Sequence, residues 1–174
     1  MEYTKVLYDE HEVILSAVEI AKDSENLLNK NPEKWQEFCI KLIYFFRHYA
    51  DKYHHHKEEE LLFQKISEEN EVMGMNIIAE MLENHEDFRE DISDVEDSLE
   101  VDVKIAFSKL IDYCENLSDH IAAENEELFI SAETILSQHD LETMMFQFQD
   151  IDRDLGEERK KELEGSLEEL KNLI

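Results

Sequence analysis

Apolar residues recur at threes and fours through most of the chain, with polar residues between them, as in helices that bury one stripe. Leu7, Tyr8, His11, Ile14, Leu15, Val18 and Ala21 make the first such stripe and predict a helix over about 3–29. Asn29-Lys30-Asn31-Pro32 ends it, and Pro32 suits the first turn of the next helix, where a missing N–H leaves no bond unmade. That second helix is predicted over about 33–67. The pattern lapses at 67–74, a third helix follows over about 75–98, and a fourth over about 102–135. The short link at 98–102 implies antiparallel neighbours. From 138 onward Leu141, Met144, Met145, Phe146, Phe148 and Ile151 mark one more apolar segment, Gly156 interrupts it, and 157–174 forms a charged amphipathic helix. The expected architecture is all-α: one domain over 1–174, an antiparallel up-down four-helix bundle over about 3–135, and a helical extension over about 138–174. The Met/Phe-rich face at 141–151 is expected to pack on the bundle.

The apolar stripes are interrupted at matching places. His54, Glu58, Leu62 and Phe63 recur in spacing as His120, Glu124, Leu128 and Phe129. A four-residue step turns a helix by only about 40°, so each His stands over its Glu on one face. Counting by threes and fours from His54 meets Ile43, Phe46, Ala50, Glu58, Leu61 and Leu62, an apolar face. The same count from His55 meets His48, Asp51, Lys52 and Glu59, so His55 and Glu59 are expected at the surface, with His56 on a mixed flank where it could support a ligand. His11 and His85 sit mid-stripe on the first and third helices.

Composition narrows the chemistry. Three Gly and one Pro leave little material for β-turns. A formal charge of −28, from 45 acidic and 17 basic residues, repels nucleic acid and anionic membranes, so neither is expected as a partner. Cys39 and Cys114 lie far apart in helical contexts with no metal-knuckle spacing, which predicts reduced core thiols. No run is apolar enough to cross a bilayer and no signal peptide opens the chain, so a cytoplasmic protein is expected.

Mid-helix positions of an antiparallel bundle meet at one level, so His11, His54, His85 and His120 can converge with Glu58 and Glu124. Two carboxylates in an apolar core demand a compensating cation. Six ligands with two anions exceed one tetrahedral zinc and suit two bridged divalent ions, with iron or manganese matching the mixed N/O set. Tyr8 and Tyr113 are candidates to hydrogen-bond the ligands, with simple core packing the alternative.

The segments Tyr8-Asp9-Glu10-His11, Ala50-Asp51-Lys52-Tyr53-His54-His55-His56-Lys57-Glu58-Glu59-Glu60-Leu61-Leu62-Phe63, Met81-Leu82-Glu83-Asn84-His85-Glu86 and His120-Ile121-Ala122-Ala123-Glu124 resemble the hemerythrin-like, HHE cation-binding domain family over about 5–135. The resemblance implies a four-helix bundle with an oxo- or hydroxo-bridged di-iron site held by His11, His54, Glu58, His85, His120 and Glu124. The family's oxygen carriers place two His four apart on the third helix, whereas Met81 and Arg89 flank His85 here. The pattern is closer to the family's four-His, two-Glu branch, which implies binding or sensing of O2 or NO. The alternatives are a di-iron redox enzyme (peroxidase, nitric oxide handling or iron-centre repair) and an iron storage or delivery protein, either with a redox or iron-acceptor partner.

Overall fold

The computed structural model describes residues 4–174. Helix α1 spans Lys5–Asp23, α2 Glu25–Lys30, α3 residues 32–69, α4 residues 71–99, α5 residues 103–135, α6 Gln138–Leu155 and α7 Glu157–Lys171, and no strand occurs among the described residues. Helices α1, α3, α4 and α5 form the antiparallel bundle, each packed against the next and α5 closing back on α1.

The turns follow from local chemistry. The predicted single helix over 3–29 is divided at Ser24, whose hydroxyl donates to the Ala21 carbonyl at 2.7 Å and accepts from the Trp35 indole at 2.9 Å. That pair of bonds fixes the bend from α1 into α2 and ties it to α3. Asn31 accepts from the Lys34 amide and caps α3, with Pro32 in its first turn as expected. The predicted lapse at 67–74 shrinks to Asn70, which caps α4 through the Met73 amide. Gly74 is helical, and a Cβ there would meet Ser67 at 2.9 Å, so glycine permits the close α3–α4 approach. Ser137 and Asp140 cap α6 reciprocally. Gly156, at φ +103°, makes the turn into α7.

Buried apolar side chains fall into two clusters. One contains Trp35, Phe38, Leu42, Phe46, Leu110 and Leu117, and the other Leu7, Leu62, Phe63, Met81, Leu128 and Phe129. The extension packs as expected: Leu141, Met144 and Phe148 join the second cluster, Leu163, Leu167 and Leu170 the first, while Phe146 stays exposed. The Tyr53 hydroxyl donates to the carbonyls of Leu155 and Gly156, which pins the α6–α7 turn to α3.

Three helices carry π-turns, with i to i+5 hydrogen bonds: Phe46–His55 and Glu58–Leu62 in α3, Gly74–Ile78 in α4, and Glu124–Leu128 in α5. Each such turn takes an extra residue and shifts the register of the next stretch of helix, a distortion frequent at functional sites.

Candidate metal centre

Between the two apolar clusters the bundle buries His11, His54, His85, His120, Glu58 and Glu124, all with 4% exposure or less. Every ring uses its outer nitrogen for a protein contact. His11 Nδ1 lies 2.8 Å from Asn125 Oδ1, His54 Nδ1 3.1 Å from Glu10 Oε2, His85 Nδ1 2.8 Å from Glu59 Oε1, and His120 Nδ1 3.3 Å from the Asn84 side-chain amide. Each Nε2 therefore turns inward. At His11, His54 and His85 the partner is an oxygen, so Nδ1–H donates and Nε2 keeps its lone pair, while at His120 the Asn84 side-chain amide donates to Nδ1.

The inner atoms form a repeating pattern. Glu124 Oε2 is 3.2 Å from His11 Nε2, and its Oε1 is 3.3 Å from His120 Nε2. Glu58 Oε1 is 3.4 Å from His54 Nε2, and its Oε2 is 3.7 Å from His85 Nε2. Nε2 atoms of His85 and His120 lie 3.1 Å apart, within hydrogen-bond distance. Two donors at right angles about an ion with bonds near 2.1 Å would stand about 3.0 Å apart, so these spacings are those of neighbouring ligands. His11 Nε2, His54 Nε2 and all four oxygens of Glu58 and Glu124 have no hydrogen-bond partner among the described residues. Buried polar atoms are otherwise almost always paired, so this donor set fits cations.

The electrostatics agree. Burial, with the Glu124 carboxylate next in effect, pushes the Glu58 carboxyl well above the usual range. Burial also raises Glu124, but the imidazoles of His120 and His11 outweigh it and hold that carboxyl low. Burial lowers His54 to about 4 and lowers His85 as well. Burial thus disfavours charge on Glu58, His54 and His85, and a cation bound between them would supply the compensation.

A family model described as the hemerythrin HHE cation-binding domain matches residues 3–130. The chain belongs to the hemerythrin family. Neither curated proteins nor solved structures gave a significant match. This hemerythrin domain offers two groups of side chains able to hold a metal ion, His11-His54-Glu58-Glu124 and His55-His85-His120. No helix among the described residues is long and apolar enough to cross a membrane.

The second group corrects one expectation. His55 is not at the surface: it is 3% exposed, and its ring stacks on His85 with centroids 3.8 Å apart. The π-turns over Phe46–His55 narrow the angle between consecutive residues, so His54 and His55 both face inward where a regular helix would splay them. Glu59 is half-buried, bonded to His85 and, at 2.7 Å, to Arg89, and these partners hold its carboxyl low against its partial burial. His56 is exposed and supports no ligand. Tyr8 donates to the Asn125 carbonyl at 2.8 Å, beside Glu124, whereas Tyr113 packs edge-on to Phe46 and Phe88, which fits core packing.

Pattern counting also missed a buried charge cluster. Glu10 bonds His54 and meets the fully buried Lys57 ammonium and, at 2.5 Å, that of Lys160. Asp152 pairs with Lys57 at 2.5 Å and Lys160 at 2.8 Å. Burial raises Glu10, but the His54 bond and the Lys57 charge outweigh it and bring its carboxyl down to about 2. Chain adjacency was the available signal for three of the missed residues: Glu10, Asn84 and Asn125 each neighbour a buried His or Glu of the centre.

Proposed function

We propose that this hemerythrin domain holds a carboxylate-bridged pair of iron ions and binds or senses O2 or NO there. The observation that carries the reading is the division of each carboxylate: Glu58 and Glu124 both turn one oxygen to the His11/His54 side and the other to the His85/His120 side. A mixed imidazole and carboxylate set favours iron over a thiolate-seeking metal. Bound iron would supply redox chemistry and coordination positions for a small molecule. The chain's own residues do the rest. Asn125, Glu10, Glu59 and Asn84 fix the four rings, so little reorganisation is needed on loading. Phe129, stacked on His11, and Phe63, stacked on His85, exclude water from one side of the site. Apolar rings on that side suit a small neutral ligand.

The test is metal content with the absorption spectrum of protein loaded anaerobically with Fe(II), before and after O2 or NO. About two irons per chain, with new near-ultraviolet bands on O2 or a nitrosyl spectrum on NO, is the expected result. His54→Ala or Glu58→Ala should lose at least one iron. No uptake, or one zinc with a featureless spectrum, sinks the reading.

A further inference from the structure

We propose that His55 is a fifth imidazole ligand of the centre, completing with His85 and His120 the nitrogen set of one ion and making the two ions chemically unequal. The inference rests on the dinuclear reading above and goes beyond the six residues that the spacing of the sequence predicts.

Four observations converge on His55. Its side chain is buried, and its Nδ1 has no hydrogen-bond partner among the described residues. Asp51 is the carboxylate facing it, but lies 3.8 Å away and is already bonded by the Arg89 guanidinium at 2.8 Å. A histidine kept only for packing would normally find a partner for its ring nitrogens. Instead, one ring nitrogen lies within 4.8 Å of the donor atoms of both His85 and His120. The backbone is also distorted where His55 enters, since the π-helical stretch Phe46–His55 ends on it and buries His54 and His55 together.

Donor counting gives the consequence. The ion beside His85 and His120 would have three imidazoles and one oxygen from each of Glu58 and Glu124. The ion beside His11 and His54 would have two imidazoles and the same two carboxylates. The first of these is nearer to a filled shell, so the greater vacancy lies on the His11/His54 side.

A cavity of about 220 Å3 is lined by His55 together with Phe46, Ala50, Phe88, Ile92 and Tyr113. That cavity makes the inference testable, because removing the ring leaves a route by which free imidazole can replace it. The experiment titrates the full chain with Co(II), whose visible bands report coordination number and donor type, and counts bound metal after gel filtration. The wild-type chain should bind two Co(II). His55→Ala should keep one, with affinity for the second reduced at least tenfold, and millimolar imidazole should restore the second ion and its band. His56→Ala should match wild type. His55→Gln, close in volume, serves if the alanine variant loses helicity, and should show the same selective weakening.

Two Co(II) bound at wild-type affinity by either folded variant overturns the inference. So does loss of the second ion that imidazole fails to reverse, which would mark His55 as a packing residue. Failure of the wild-type chain to bind two ions is a separate result, and it defeats the dinuclear reading itself.

Discussion

Replacing Lys57 by Met deletes a charge from the buried cluster beside the metal centre while keeping most of the aliphatic stem. In the wild-type chain the Lys57 and Lys160 ammonium groups face the Glu10 and Asp152 carboxylates, two charges of each sign. Lys57→Met leaves two carboxylates sharing Lys160 alone in a region that water barely reaches. Breaking a buried ion pair from one side costs about 3–5 kcal/mol, because the partner charge stays buried without compensation. At about 2 kcal/mol per molar urea, that moves the unfolding midpoint down by roughly 2 M. It also lowers Tm by roughly 6–20 °C at this chain length. The assay is urea unfolding of metal-free protein followed by circular dichroism, so that lost metal affinity does not enter. The double variant Lys57→Met/Glu10→Gln restores neutrality, leaving Lys160 with Asp152. It should be more stable than the sum of the single losses by at least about 1 kcal/mol. A loss below about 1 kcal/mol for Lys57→Met, or strict additivity of the two changes, would refute the claim that these charges act as one cluster.

Two further outcomes come from burial alone. Cys39 and Cys114 are fully buried and burial pushes both thiols up to about 12, so the folded chain should not react with a thiol reagent at pH 8, and both should react in denaturant; rapid labelling of native protein would contradict this. Phe148→Ala should cost about 3–5 kcal/mol, read by the same urea unfolding, because the ring is 2% exposed against the second apolar cluster; a loss under about 1 kcal/mol would mean the extension is not part of the cooperative unit.

The bundle was legible because long amphipathic stripes and few breakers leave little choice, and α3, α4 and α5 end within four residues of their expected bounds. The convergence of His11, His54, His85 and His120 with Glu58 and Glu124 followed from the same count, since they occupy the buried stripes. His55 defeated that count. Helical arithmetic assumes one constant angle per residue, and π-turns change it where the site is built. Lys57 escaped for another reason: a lysine between Glu and His in an acidic chain looks solvated, and only the fold brings Asp152 and Glu10 to it from opposite ends of the sequence. Ser24 could not be read as a bend because its deciding bond comes from Trp35, two helices on in α3.

The contact between Lys160 and Glu10 spans 150 residues. At roughly 5–20 residues per second, a ribosome delivers Lys160 roughly 8–30 s after Glu10. During that interval His11, His54, His85 and His120 have all been made, but the His54 side of the centre still lacks the Lys160 charge. Metal arriving early would meet a His54 whose partner Glu10 is held by Lys57 without Lys160 or Asp152. Docking of α6 and α7 then brings Asp152 and Lys160 to the Glu10–Lys57 pair and completes the charge cluster behind His54.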